Sequence, residues 1–177
     1  MWSLGLLKTM KDPKYMVFSD TKIVMIKDMY PKAEHHFLVL PHEEITNLKK
    51  VTEKDIPLLE YMFEKAKQYT SKHFPDVEFK FGYHAQPSMH RLHLHVISKD
   101  MNSEFLKNKK HWNSFTTEFF MNSSDILRQL KTSGKIKFPS AAECELMMKR
   151  ELKCHRCNLV FPTIPKLKQH IRSHRAD

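Results

Sequence analysis

No apolar run in this chain of 177 residues approaches the roughly 18 needed to cross a bilayer, so no membrane-spanning helix is expected. The stretch from Met1 to Leu7 is too short and too poorly flanked for a secretion signal, which predicts an intracellular protein. Cysteine is scarce, and 3 residues cannot build a disulfide framework. Two of them, Cys154 and Cys157, stand at metal-ligand spacing, which leaves Cys144 as a spectator thiol. Acidic residues are in deficit, with 20 Asp and Glu against 30 Lys and Arg, a net charge of +10. That excess favours a polyanionic partner, because each basic side chain near a phosphate releases condensed counterions. Charge alone is equally compatible with a merely soluble basic surface. Internal repeats and low-complexity tracts are also lacking. One ordinary domain plus a small appended module accounts for the length, and the 41% apolar content can supply its core.

Residues 15–18 and 22–26 read as two short strands joined through Ser19, Asp20 and Thr21, a hairpin. A third strand, 36–40, stops at Pro41, which cannot donate to a central ladder. From 54 to 72 the residues Ile56, Leu59, Met62, Phe63, Ala66 and Tyr69 recur at helical spacing. Residues 78–84 and 91–97 alternate as strands do. Strands meeting around one long helix predict an antiparallel α+β domain. Beyond the basic stretch 107–112, a helix over 124–131 meets a stop at Ser133 and Gly134. Composition then shifts. Ser140 and Glu143 form a capping box for a helix from 141 towards 152, so the division falls between residues 1–134 and 135–177.

Two residues separate Cys154 from Cys157, twelve intervene before His170, and three lie between His170 and His174. Thiolates from a tight knuckle and two imidazoles on one helical face make the tetrahedral set that zinc prefers, in a ββα-type finger. Phe161 and Leu167 fall where such a module needs its core side chains. All four ligand positions come from protein, so the single zinc ion is expected to be structural. Lys166, Lys168, Arg172 and Arg175 decorate the finger helix within reach of phosphates, although one finger makes few base contacts.

On a strand over 91–97, Arg91, His93 and His95 share one face while Leu92, Leu94 and Val96 point into the core. A neutral imidazole can attack phosphorus, and a second imidazole or a backbone carbonyl can hold it in the required tautomer. His84, on the neighbouring strand, could donate a proton to a departing oxygen, and Ser88 could bond a phosphate oxygen. A metal site is the rival reading of His-x-His on a strand, although no carboxylate partner is obvious in the sequence.

The run His93-Leu94-His95-Val96-Ile97, after His84-Ala85-Gln86-Pro87-Ser88-Met89, resembles the motif of the histidine-triad nucleotide hydrolases and transferases. With the finger and the run 107–115, nearly the whole chain resembles the branch of that family that hydrolyses DNA adenylates. The resemblance implies a histidine-triad antiparallel sheet with helices. It also implies a nuclear DNA-repair hydrolase that removes AMP from the 5′ ends left by abortive ligation. His93 would be the nucleophile, His95 would contact the phosphate and His84 would assist the leaving DNA phosphate. Asp28 would bind the ribose hydroxyls. Leu6, Ile26 and Phe37 would form the adenine pocket, or simply core. Ser88, Met89, Lys32 and Lys110 would lie nearer the DNA, the lysines being otherwise ordinary solvated charge. One position departs from the family pattern: Arg91 stands where a histidine is usual, and a guanidinium there could clamp phosphate on DNA but cannot accept a hydrogen bond. Two other expectations stay open, a general nucleoside phosphoramidate or dinucleotide hydrolase and a non-catalytic zinc-finger adaptor.

Overall fold

The computed structural model describes residues 2–174, so Arg175 of the finger helix lies outside the described residues. Helix α1 (Trp2–Lys11) leads into the hairpin β1 (Met16–Ser19) and β2 (Ile23–Lys27). That turn closes on the Asp20 carboxylate, which accepts from the amides of Lys22 and Ile23 at 2.8 and 2.9 Å. Then come β3 (His36–Pro41), α2 (Ile56–His73), β4 (Phe79–His84) and β5 (Leu94–Ser98). Next are α3 (Lys109–Thr116), β6 (Phe120–Asn122), α4 (Ser123–Ser133) and α5 (Ala141–Lys149). The chain ends in β7 (Leu152–Lys153), β8 (Val160–Phe161) and α6 (Ile164–Ser173). Six strands pair antiparallel in the order β1-β2-β3-β5-β4-β6, and β7 pairs only with β8. No helix among the described residues is long and apolar enough to cross a membrane.

The two-residue period of the strands divides the sheet into two faces. Met25, Phe37, Val39, Leu94 and Val96 point to one side, where Leu59, Met62 and Ala66 of α2 and Ile126 and Leu130 of α4 close the main core. Val24, Ile26, Leu38 and Leu40 point to the other, under Leu6 and Met10 of α1. His36, His84 and His95 follow the same alternation onto this second face, because Leu38 is paired with His95 and Gly82 with His95 on the opposite side. Gly82 is required where it stands. A Cβ there would lie 2.5 Å from the Met121 carbonyl oxygen and 2.6 Å from the Phe120 ring.

Strand β5 begins at Leu94, three residues later than the alternation of 91–97 predicts. The physical reason is Pro41. Continuing the β3–β5 register past Val39 and Leu94 would set Pro41 against Leu92, and proline has no amide proton for that rung. Leu92 N–H bonds to the Ile45 carbonyl instead, at 2.8 Å. His93 is thereby carried on the segment entering the strand. Three further elements were not read from the sequence: α1, which packs Leu6 and Met10 on the sheet; α3, hidden in a run read as basic; and the three-residue β6.

The division expected near residue 135 falls between α4 and α5, yet a hydrophobic cluster runs across it. Met101, Leu106 and Trp112 pack with Leu152, Leu167 and Ile171 of the finger. Trp112 Nε1 donates to the Lys153 carbonyl at 2.9 Å, and Asn113 Nδ2 donates to the carbonyls of Met148 and Arg150 at 3.2 and 2.9 Å. Lys168 Nζ, expected to face phosphates, bonds to the carbonyls of Ser103 and Leu106 at 2.6 and 3.2 Å.

Candidate active site and metal centre

Helix α1, the second face of the sheet and helix α3 enclose a cavity of about 660 Å³. His84, His93 and His95 line it, with Asp28 and Ser88, the apolar Leu6, Ile26 and Leu38, and Lys32, Met89 and Lys110. Two of the expected residues are elsewhere. Phe37 is turned by the strand period to the α2 side, where its ring meets Tyr69 and Phe74 at centroid distances of 5.7 and 6.0 Å. Leu38, the next residue, takes the wall position in its place. Arg91 does not line the cavity, and its Nη2 donates to the carbonyls of Pro41 and His42 at 3.1 and 2.9 Å.

His36 was missed, and it organises the cluster. Its Nδ1 accepts from the Lys32 amide at 3.1 Å, so in the neutral ring the proton sits on Nε2. That Nε2–H donates to His95 Nδ1 at 2.9 Å, which in turn places the His95 proton on Nε2. His95 Nε2 is buried and has no partner among the described residues, so it presents a donor to the cavity that His95 lines. His93 is set by a separate contact: its Nδ1 donates to the Arg91 carbonyl at 2.7 Å, leaving Nε2 with its lone pair. Position 36 gave one signal in the sequence, a histidine in step with Leu38 on an otherwise apolar strand.

Burial keeps these rings uncharged at neutral pH. It pushes His36 down to about 4, with the nearby Asp28 carboxylate opposing the shift. It pushes His84 down to about 3, reinforced by His93 and His36, and it holds His95 well below the ordinary histidine value. His93 is lowered as well, by burial first, against the opposing pull of the Arg91 carbonyl and Asp28. The result is a nucleophilic nitrogen free of a proton beside a neutral N–H donor. Phe115 of α3 closes the wall behind the cluster, its ring centroid 4.6 Å from His84, 5.2 Å from His95 and 5.3 Å from His36.

Asp28, His36 and His95 offer ligand atoms that all lie within 4.8 Å of one another, close enough to bracket a cation. The hydrogen bonds argue for a different state. The Lys32 amide occupies one nitrogen of His36, so the other carries the proton and cannot also offer a lone pair to a metal. The second cluster, Cys154, Cys157, His170 and His174, has no such conflict. Its donors approach at 3.4 Å (Cys154 Sγ to His174 Nε2), 3.1 Å (Cys157 Sγ to His170 Nε2) and 3.2 Å (His170 Nε2 to His174 Nε2). A tetrahedral zinc ion with ordinary bond lengths sets such edges at about 3.3 Å between nitrogens and about 3.6 Å between nitrogen and sulfur. The four groups fit the metal, and Leu167 packs beneath them, fully buried.

Residues 1–111 match the family described as scavenger mRNA decapping enzyme C-term binding, which has the histidine-triad type of fold. The chain belongs to this histidine-triad family. Residues 116–177 match the C2HE / C2H2 / C2HC zinc-binding finger family. Aprataxin of Gallus gallus is 47% identical to this histidine-triad chain over 177 residues, covering 98% of it and 55% of the relative. Aprataxin of Danio rerio is 46% identical, covering 98% and 53%. The chain therefore spans about half the length of these relatives. Among solved structures, the aprataxin ortholog Hnt3 of Schizosaccharomyces pombe superposes with a TM-score of 0.78 at 25% identity, covering 97% of this chain and 90% of that one. The same ortholog solved in complex with DNA gives 0.80 at 24% identity, a likeness of fold.

Proposed function

We propose that this histidine-triad chain hydrolyses adenylated 5′ ends of DNA in the nucleus through a covalent adenylyl-histidine. The observation that carries the reading is the proton arrangement. His93 has Nδ1 committed to the Arg91 carbonyl and its other nitrogen unprotonated, on a ring that lines a nucleotide-sized cavity beside the unpartnered N–H of His95. In the proposed reaction His93 Nε2 attacks the AMP phosphorus. The bond from phosphorus to the bridging oxygen of the DNA 5′-phosphate breaks, and that oxygen leaves with the DNA. Water then attacks the phosphorus, and the P–N bond breaks, releasing AMP and returning the electron pair to His93 Nε2. His95 Nε2–H stabilises the phosphoryl oxygen charge that develops, and His84 supplies a neutral donor to the leaving side. Leu6, Ile26 and Leu38 suit an adenine base, and Asp28 suits ribose hydroxyls. The net charge of +10 and the docked finger suit a duplex better than a free nucleotide. One bound zinc ion would hold the knuckle and α6 together, with Cys154, Cys157, His170 and His174 as its ligands.

The test is turnover of a labelled 5′-adenylated nicked duplex beside adenosine phosphoramidate, using zinc-loaded protein. The expected result is release of AMP and a 5′-phosphorylated strand, lost in His93→Ala. An intact adenylated strand with wild-type protein would sink the proposal, and turnover of the phosphoramidate alone would favour a small-nucleotide hydrolase. DNA binding without turnover of either substrate would make the chain an adaptor.

A further inference from the structure

Arg91 spans two jobs that a histidine at that position could not combine. Its backbone carbonyl holds His93 Nδ1 at 2.7 Å, and its guanidinium holds two carbonyls at the end of β3, Pro41 at 3.1 Å and His42 at 2.9 Å. The next amide, Leu92 N–H, is tied to Ile45 at 2.8 Å. The segment carrying the nucleophile is outside the strand ladder, which starts only at Leu94, and these three hydrogen bonds tie it to the β3 end and its following turn while Leu92 is buried in the main core. Arg91 also borders a small cavity of about 10 Å³ with Tyr83 and Pro87, and His84 and His93 line both that cavity and the large one.

We propose that Arg91 is a positioning residue for His93: its guanidinium, anchored on the Pro41 and His42 carbonyls, keeps its own carbonyl aimed at His93 Nδ1 and so keeps His93 in the nucleophilic tautomer. A neutral imidazole has a single N–H and could not grip both carbonyls, whereas Arg91 Nη2 carries two N–H groups held in the guanidinium plane, one for each carbonyl. The tautomer claim stands on geometry alone, while its kinetic consequence rests on His93 being the nucleophile.

The experiment uses full-length, zinc-loaded protein with Arg91→Lys and Arg91→Met. Ring 15N resonances of His93, recorded without substrate, are expected to show Nδ1 protonated in the wild type and a mixture of the two tautomers in Arg91→Met. Turnover of adenylated DNA by Arg91→Met should fall by about 10- to 100-fold in kcat with KM and DNA affinity unchanged, as expected of a misplaced reacting group. Arg91→Lys, which keeps the charge and loses the planar N–H pair, should fall part of the way. Weaker DNA binding with kcat unchanged in either variant would overturn the proposal in favour of a phosphate clamp. An unaltered His93 tautomer in Arg91→Met would overturn it too, even if that variant is less stable. Should the wild type leave adenylated DNA intact, the functional reading fails, and the resonances still decide the role of Arg91.

Discussion

His36 exerts its effect without lining up as an attacking group, because it is the ring that decides where the proton of His95 resides. Replacing it with phenylalanine keeps most of the volume and removes both nitrogens, leaving the Lys32 amide and His95 Nδ1 without partners. Two stranded buried polar groups cost about 1–3 kcal/mol each. His36→Phe is expected to lower turnover of adenylated DNA by about 100-fold, in the range of a lost proton-transfer contribution. Single-turnover kinetics against His93→Ala would show it, and wild-type rates would refute the relay. Acid sensitivity follows from the same burial. His36 and His84 titrate near 4 and 3 in the fold, below the ordinary 6.5, so between those values the unfolded chain binds more protons. Stability from keeping them neutral is complete above pH 6.5 and is lost as pH falls towards 4 and then 3, each ring adding a slope of up to ~1.4 kcal/mol per pH unit. Urea midpoints taken between pH 7 and pH 5 should fall steeply, and His84→Gln should flatten the fall. The histidines at 84, 93 and 95 were legible because they are crowded in sequence. His36 was not, since its partner lies 59 positions away and only the register of β3 against β5 brings the two together.

At the scale of elements, β4 and β6 meet where a side chain has no room. Gly82→Ala would drive a methyl group into the Met121 carbonyl and the Phe120 ring, and overpacking of this kind costs about 1–3 kcal/mol. Thermal unfolding of the variant reads that cost, and an unchanged midpoint would show that β6 can shift freely. The basic side chains divide by their local roles as well. Lys110 borders the cavity and Lys168 is tied to two carbonyls. Lys110→Ala should lower the salt slope of DNA binding by about one, whereas Lys168→Ala should leave the slope alone and lower the melting temperature. Sequence patterning made β1 to β4, α2, α4 and the start of α5 legible, because their apolar periods, Gly134 stop and Ser140 cap are local signals. The start of β5 was set by a proline on another strand, and α3 by an Asn108 cap amid lysines, so neither showed in its own periodicity.

For the whole molecule, the finger and the sheet share one apolar interior through α3. Zinc removal is therefore expected to lower a single cooperative melting transition, with no separate finger transition left behind, and calorimetry of protein before and after chelation would decide it. Two resolved transitions would mean the finger folds on its own. The motif spacing revealed the ligand set of the finger but gave no sign of this docking, which depends on Trp112 and Asn113 reaching backbone carbonyls some 35 to 41 residues further along the chain. Trp112 is 1% exposed, in a cluster that the chain after α4 helps to close through Leu152, Leu167 and Ile171. A fragment trimmed back to the histidine-bearing sheet would present that indole, Met101 and Leu106 to water as a sticky patch, so the smallest well-behaved fragment bearing the histidine cluster is expected to carry its finger.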